Sequence, residues 1–259
     1  MPGKTAHDGS LPSRHDVGML VACSGWFAAL FVALALLPDP LPDFSGLDAP
    51  ERKDAFFDYL DPIVTDINDR VRAERAFVRE IIAKRNAGTE LSWLERLGID
   101  ALAKQYEVVD DDAIDADAHV DAVLETLNRR IGVIPSSLAL IQAAKESGWG
   151  TSRFATEGNN LFGQRCYERG CGIAPRGRPA NAGFGLARFG SVEESVASYA
   201  RNLNTHPKYE AFRELRAMLR AGNEAVRGLD LAQGLLSYSE RGQIYVEEIK
   251  SMIRQNGLE

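Results

Sequence analysis

The chain has 259 residues, room for one large or two small domains, and its 45% hydrophobic content with 11 prolines argues against extensive disorder. Thirty Lys and Arg against 37 Asp and Glu leave a formal net charge of −7. The basic footprint of a nucleic-acid binder is missing, so no nucleic acid is expected as a partner. No P-loop, Rossmann fingerprint or sustained heptad is present.

After a tail over residues 1–16, residues 17–37 carry no charge. That length spans a bilayer core as a helix, whereas the apolar region of a cleaved signal peptide is shorter. Leu20-Val-Ala-Cys23 resembles a lipobox, but the apolar run continues well past Cys23. An uncleaved signal anchor is favoured, with cleaved export and lipoprotein processing as the alternatives. Lys4 and Arg14 precede the run and residues 38–51 hold no Lys or Arg, which places the N-terminus inside and the bulk of the chain outside. Pro38, Pro40, Pro42 and Pro50 among Asp residues make 38–50 a short stalk.

Residues 51–130 read as a helical leader. Phe56, Leu60, Ile63, Ile67 and Val71 recur at three and four, giving one apolar face, and a segment from Phe77 to Lys84 continues it. Ser92 to Tyr106 carries Trp93, Leu94, Leu97 and Leu102. The acid cluster Asp110-Asp-Asp, with Asp115 and Asp117, lacks the Gly and terminal Glu of a calcium loop and is expected to be a solvated loop. A helix from about His119 to Ile131 follows.

Pro135 opens the most informative element, Ser-Ser-Leu-Ala-Leu-Ile-Gln-Ala-Ala-Lys-Glu146. Leu138, Ile141 and Ala144 repeat at helical spacing, so this face packs inward. Gly148 and Gly150 stop the helix, with Trp149 and Phe154 adding apolar surface beside its last turn. The last turn favours cations; Lys145 obeys that rule and Glu146 breaks it, which is typical of functional sites. A carboxyl backed by an apolar wall holds its proton towards neutrality, as Glu against Trp does in lysozyme. Glu146 is therefore the candidate general acid, against the ordinary reading of a helix-end Glu facing water.

Between Gly158 and Gly190 the pattern becomes rich in Gly and Pro, with short runs such as Gly183-Phe-Gly-Leu-Ala-Arg-Phe189 that suit a small hairpin. Cys166-Tyr-Glu-Arg-Gly-Cys171 reads as a disulfide-closed loop in an oxidising compartment. Half of a zinc site is the alternative, but His7, His15, His119 and His206 are scattered and no second Cys pair exists. No metal or other cofactor is expected. Ser191-Val-Glu-Glu194 forms a capping box before a helix whose apolar face is Val192, Val196, Tyr199 and Leu203. Pro207 opens a further helix to Arg220, ended by Ala221-Gly222, and the last helix runs from about Gly242 to Gln255.

The segment Ala143-Ala-Lys-Glu-Ser-Gly-Trp-Gly-Thr-Ser-Arg-Phe-Ala155, with Gly158-Asn-Asn-Leu-Phe-Gly163, resembles the glucosaminidase domain of glycoside hydrolase family 73, and within it the bacterial Bax-type group. The likeness extends through Cys166–Pro175, Arg188-Phe-Gly-Ser191, Asn202-Leu-Asn-Thr-His-Pro207, Tyr209, Arg213, Tyr238-Ser-Glu-Arg-Gly242 and Tyr245. Upstream, Arg52–Leu60 and Ile63 resemble that group's helical leader. The resemblance implies a mainly α (α+β) fold, with a lysozyme-like catalytic domain over 131–259 and a small β-lobe. It also implies hydrolysis of β-1,4 bonds beside N-acetylglucosamine in peptidoglycan. A monomer in the bacterial envelope is expected, anchored in the inner membrane through 17–37, with its catalytic domain in the periplasm.

Glycoside hydrolysis usually takes two carboxyls. Between Glu146 and Glu193 the only acids are Glu157 and Glu168. Glu168, inside the Cys166–Cys171 loop, is the first candidate for the second group and Glu157 the next. Alternatively the substrate's own acetamido oxygen acts. Trp149, Phe162, Tyr199, Tyr209, Tyr238 and Tyr245 are candidate sugar platforms or acetamido partners, each with core packing as the alternative. Asn159 and Asn160 either line the cleft or brace the turn. The rival functions are a lytic transglycosylase on the same fold, which also needs one acid, and a non-catalytic glycan-binding protein.

Overall fold

The computed structural model describes residues 41–108, 117–168, 171–174, 183–222 and 225–259. The expected membrane segment 17–37, Cys23 and the acid cluster at Asp110–Asp112 with Asp115 lie outside the described residues. Among the described residues no helix is long and apolar enough to cross a membrane.

The first helix, α1 (Ala49–Asn86), begins inside the stretch expected as a stalk. The Asp48 carboxylate accepts from the Glu51 N–H at 3.0 Å, and Pro50 occupies the first turn, where its missing N–H is no loss. Phe44 is buried with its ring centroid 5.7 Å from that of Phe56, and Arg52 donates to the carbonyls of Phe44 and Leu47. Residues 44–50 thus pack on the body rather than extend from it. α1 runs unbroken through Phe77–Lys84, joining two expected segments into one helix of 38 residues. Phe56, Leu60, Val64 and Ile67 face one apolar cluster, and Val71, Val78 and Ile81 face another. Ile63, expected on the buried face, is only half-buried, and Val64 packs in its place.

The second cluster is completed by α2 (Trp93–Gln105) and α3 (Asp117–Arg130). The capping box at Ser92 and Glu95 starts α2, whose Ile99, Leu102 and Ala103 are buried. Trp93, Leu94 and Leu97 remain exposed, Trp93 by 72%, because only the later part of α2 turns its apolar side towards the cluster.

The first cluster surrounds α4 (Ser136–Ser147), which packs against α1, α8 (Gly228–Leu231) and α9 (Gln243–Gln255). The expected inward face Leu138, Ile141 and Ala144 is fully buried, and so are Ala139, Leu140, Gln142 and Ala143. A helix apolar on nearly all sides occupies the centre of a core. α6 (Val192–Thr205) buries Val192, Val196, Tyr199 and Leu203 as its periodicity predicts. Its cap differs in one bond. Ser191 Oγ accepts from the Glu194 N–H at 3.1 Å, but the Glu194 carboxylate accepts from Gly190 N–H at 2.7 Å, one residue upstream of the expected partner. Pro207–Tyr209 form a 3-10 turn leading into α7 (Glu210–Ala221). α8 and the 3-10 turn Ala232–Leu235 are too short to leave a periodic signature in sequence.

α5 (Arg153–Gly158) leads into a three-stranded antiparallel sheet of β1 (Arg165–Cys166), β2 (Gly172–Ile173) and β3 (Gly185–Ala187), in the order β1-β3-β2. Arg165 pairs with Leu186 and Gly172 with Ala187, so one more strand is present than the expected hairpin. The Cys166–Cys171 disulfide ties the two outer strands together. A Cβ at position 172 would stand 2.0 Å from the Leu186 carbonyl oxygen, so only glycine allows this pairing. The fold is mainly helical, with this small lobe beside the end of α4.

Candidate active site

α4 stops abruptly. Gly148 caps it at φ 61°, followed by Trp149 at 60° and Gly150 at 76°, three left-handed residues in succession. The two glycines adopt this backbone freely, whereas a tryptophan is strained by it. Packing holds it. The Trp149 ring meets Phe56 and Phe57 of α1 edge-to-face at 5.9 and 5.4 Å, with Lys53 Nζ over it at 5.3 Å. Ser147 Oγ donates to Ala143 O and accepts from the Gly150 N–H at 2.8 Å. A Cβ on Gly150 would meet Phe44 at 2.7 Å. The turn is therefore fixed by aromatic residues that precede it by about a hundred positions.

This stop leaves Glu146 on the last turn of α4. Its Oε1 accepts from the Tyr245 hydroxyl of α9 at 3.0 Å, while its Oε2 faces Gly163, where a Cβ would stand only 3.9 Å away. The residue as a whole is exposed, and at its carboxyl end the neighbours are the Tyr245 hydroxyl and Gly163. The surroundings of the carboxyl, not the exposure of the stem, set its proton affinity. Burial raises its pKa above the usual carboxylate value, against the Tyr245 hydrogen bond and the Lys145 charge, which lower it. Lys145 is a weak opponent because its ammonium is paired with Glu248 at 2.8 Å.

Behind Glu146 lies an aromatic and polar wall. Tyr245 stacks on Tyr238 at 5.4 Å and 11°, Tyr209 lies 6.0 Å beyond, and Phe162 stacks on Tyr199 at 3.9 Å and 8°. Burial holds the hydroxyls of Tyr199, Tyr209, Tyr238 and Tyr245 above their ordinary pKa, and the Glu146 charge pushes each the same way.

The expected site residues divide clearly. Phe162, Tyr199 and Tyr209 are buried, so their ring faces serve the core and not a bound sugar. Asn160 is buried and its amide is fully used: Nδ2 donates to Gln164 O and Ala187 O, and Oδ1 accepts from Gln164 N–H. Asn159 caps α5 at φ 51° and donates to Phe189 O at 3.0 Å. Both asparagines brace the turn between α4 and the sheet. Trp149 and Tyr238 are half-buried, and the Tyr238 hydroxyl turns inward to the Phe162 carbonyl at 3.2 Å.

Glu168 is exposed in the disulfide loop, and among the described residues no contact joins it to Glu146. Glu157 is exposed and lies 3.8 Å from Arg153. A cavity of about 650 Å³ lined by Pro135, Ser136, Ser137, Asp58 and Arg227 opens at the other end of α4, roughly 15 Å of helix from Glu146. It is not part of this site. Sequence reasoning missed Gln142, which bonds to Tyr245; its signal was a lone amide one helical turn before Glu146 in an otherwise apolar run.

Residues 122–258 match the family described as mannosyl-glycoprotein endo-beta-N-acetylglucosaminidase, the glucosaminidase domain, and the chain belongs to this family of glycan-cleaving hydrolases. It is also similar to the protein bax of Escherichia coli strain K12, with 36% identity over 206 residues, covering 79% of this chain and 70% of that protein. The described Glu146 turn, its asparagine braces and the sheet all fall within the matched region. No solved structure matches the chain.

Proposed function

We propose that the protein is a peptidoglycan hydrolase, an endo-β-N-acetylglucosaminidase that cleaves β-1,4 bonds with Glu146 as general acid. The observation that carries this reading is the Glu146 carboxyl itself: held by Tyr245 at Oε1, raised in pKa by burial, and bordered at Oε2 by Gly163, which has no side chain. A neutral carboxyl in that position donates a proton to the leaving glycosidic oxygen as the sugar takes on oxocarbenium character. Trp149 and Tyr238 supply the apolar faces against which sugar rings stack. With no contact joining Glu168 or Glu157 to Glu146 among the described residues, the 2-acetamido oxygen of the substrate is the internal group we assign to stabilising the positive centre. The uncharged segment 17–37 anchors the enzyme in the inner membrane, with its catalytic domain in the periplasm.

The same absence of a carboxyl in contact with Glu146 among the described residues suits one other reading, a lytic transglycosylase in which the substrate's own hydroxyl attacks. Mass spectrometry of fragments released from purified peptidoglycan by the full-length protein and by Glu146→Gln separates the two. Reducing-end N-acetylglucosamine from the wild type alone is expected. Anhydro-muramyl ends would select the transglycosylase, and no release by either protein would leave a glycan-binding role.

A further inference from the structure

A buried hydrogen-bond chain runs to Glu146 from three helices. The Tyr199 hydroxyl of α6 donates to Gln142 Oε1 at 2.6 Å; Gln142 Nε2 of α4 donates to the Tyr245 oxygen at 3.0 Å; the Tyr245 hydroxyl of α9 donates to Glu146 Oε1 at 3.0 Å. Tyr199, Gln142 and Tyr245 are all buried. We propose that Tyr199 and Gln142 are positioning residues that fix the direction of this chain, so that Tyr245 always donates to Oε1 of Glu146 and Oε2 is the oxygen that carries the proton.

A carboxamide has one donor end and one acceptor end, and the Tyr245 hydroxyl has one proton. If the Gln142 amide turned around, every bond would reverse. Glu146 would donate to Tyr245, Tyr245 to Gln142, and Gln142 to Tyr199. Tyr199 would then need a different acceptor for its own proton. Among the described residues its only acceptor is Gln142 Oε1, and a buried hydroxyl proton with no acceptor is penalised by its full desolvation. Tyr199 is thus the end stop that sets the direction for the two links after it. With Oε1 already accepting, the acidic proton resides on Oε2, on the side where Gly163 presents no side chain.

The other groups that act on this carboxyl are Lys145 from its own helix, whose ammonium is paired with Glu248 and through it with Arg241, and the Tyr209 and Tyr238 hydroxyls. None of them changes in a Tyr199→Phe variant, which also keeps the ring stacked on Phe162. A change in Glu146 titration would therefore travel through Gln142 and Tyr245, beside the direct loss of the Tyr199 hydroxyl, which also acts on Glu146 and which Gln142→Met leaves in place.

The assignment of a catalytic role to this proton rests on the hydrolase reading; the direction of the chain does not. The test is carboxyl ¹³C NMR titration of Glu146 in full-length protein, with the resonance assigned by its loss in Glu146→Gln. In Tyr199→Phe the freed amide turns, Tyr245 donates to Gln142, and the Glu146 anion loses its donor. Its titration midpoint is expected to rise by about one pH unit. Gln142→Met is expected to move it in the same direction. In active protein the alkaline limb of the pH–activity profile moves with it, more than kcat at the plateau. Unchanged midpoints in both variants, with only a lower melting temperature, would overturn the proposal. A shifted midpoint in the variants, beside a wild type that cuts no glycan, would support the direction of the chain and remove only the hydrolase reading.

Discussion

At Glu146 proton affinity is higher in the folded chain than in the unfolded one, because crowding of its carboxyl penalises the anion more than Tyr245 and Lys145 relieve it. The contribution of this group to stability is therefore complete below the unfolded carboxylate pKa and is lost as pH rises through the raised folded value. An activity that needs the protonated acid falls over the same rise. Glu146→Gln is neutral at every pH. It should lose turnover by about 10²–10⁴-fold while melting no lower than wild type at pH 7, its relative advantage shrinking towards pH 4. Calorimetry across that range is the check, and a variant that melts well below wild type at pH 7 would count against the assignment. Glu146 was legible in sequence because it broke a local rule, an acid where the helix dipole favours a cation. Gln142 was not, because its partners Tyr199 and Tyr245 lie 57 and 103 residues away and nothing local marks their meeting.

Among the elements, α6 was readable from Val192, Val196, Tyr199 and Leu203 alone, since one amphipathic stripe facing one core repeats in sequence as it does in space. α7 hides a feature that periodicity does not express. Arg216 is fully buried, donating to the carbonyls of Arg130 and Gly132 and to Asn204 Oδ1, and so closes the C-terminal end of α3. Burial and the neighbouring Arg220, Arg75 and Arg213 charges hold its pKa well below the ordinary guanidinium value. No carboxylate balances it among the bonds described, so the carbonyl dipoles at the helix end do that work. Gly132 is required by the same contact, since a Cβ there would stand 2.4 Å from the Arg216 Cζ. Arg216→Met should cost about 1–3 kcal/mol for each carbonyl it strands, and Gly132→Ala should cost stability by displacing the guanidinium. Urea denaturation measures both. The two losses should fall short of additive in the double variant, because both act on one contact.

For the whole molecule, the region matched to the glucosaminidase family starts at residue 122, but the core around α4 does not. Phe44, Phe56, Leu60, Val64 and Ile67, all upstream, are buried in the same cluster as Leu138, Ile141 and Tyr245. A leader over 51–130 packed on a domain over 131–259 was the expectation, but which residues join the two was not legible, because these contacts join residues far apart in the chain. Each fully buried large apolar side chain contributes about 1.5–3 kcal/mol, while a whole domain is stable by about 5–15 kcal/mol. Removing α1 takes several such side chains at once and opens the opposing face of α4 to water. Residues 122–259 alone are therefore expected to show no cooperative thermal transition, whereas residues 41–259 melt in one step; circular dichroism of the two fragments decides it. A gentler probe keeps the chain whole. Phe56→Ala should cost about 3–5 kcal/mol and also free the Trp149 ring that Phe56 and Phe57 hold in its left-handed turn. If the leader only covers the domain, that variant loses stability without loss of turnover in the protein that remains folded. If α1 shapes the site through Trp149, activity per folded molecule falls as well, and the strain at φ 60° is what the aromatic contacts of α1 maintain.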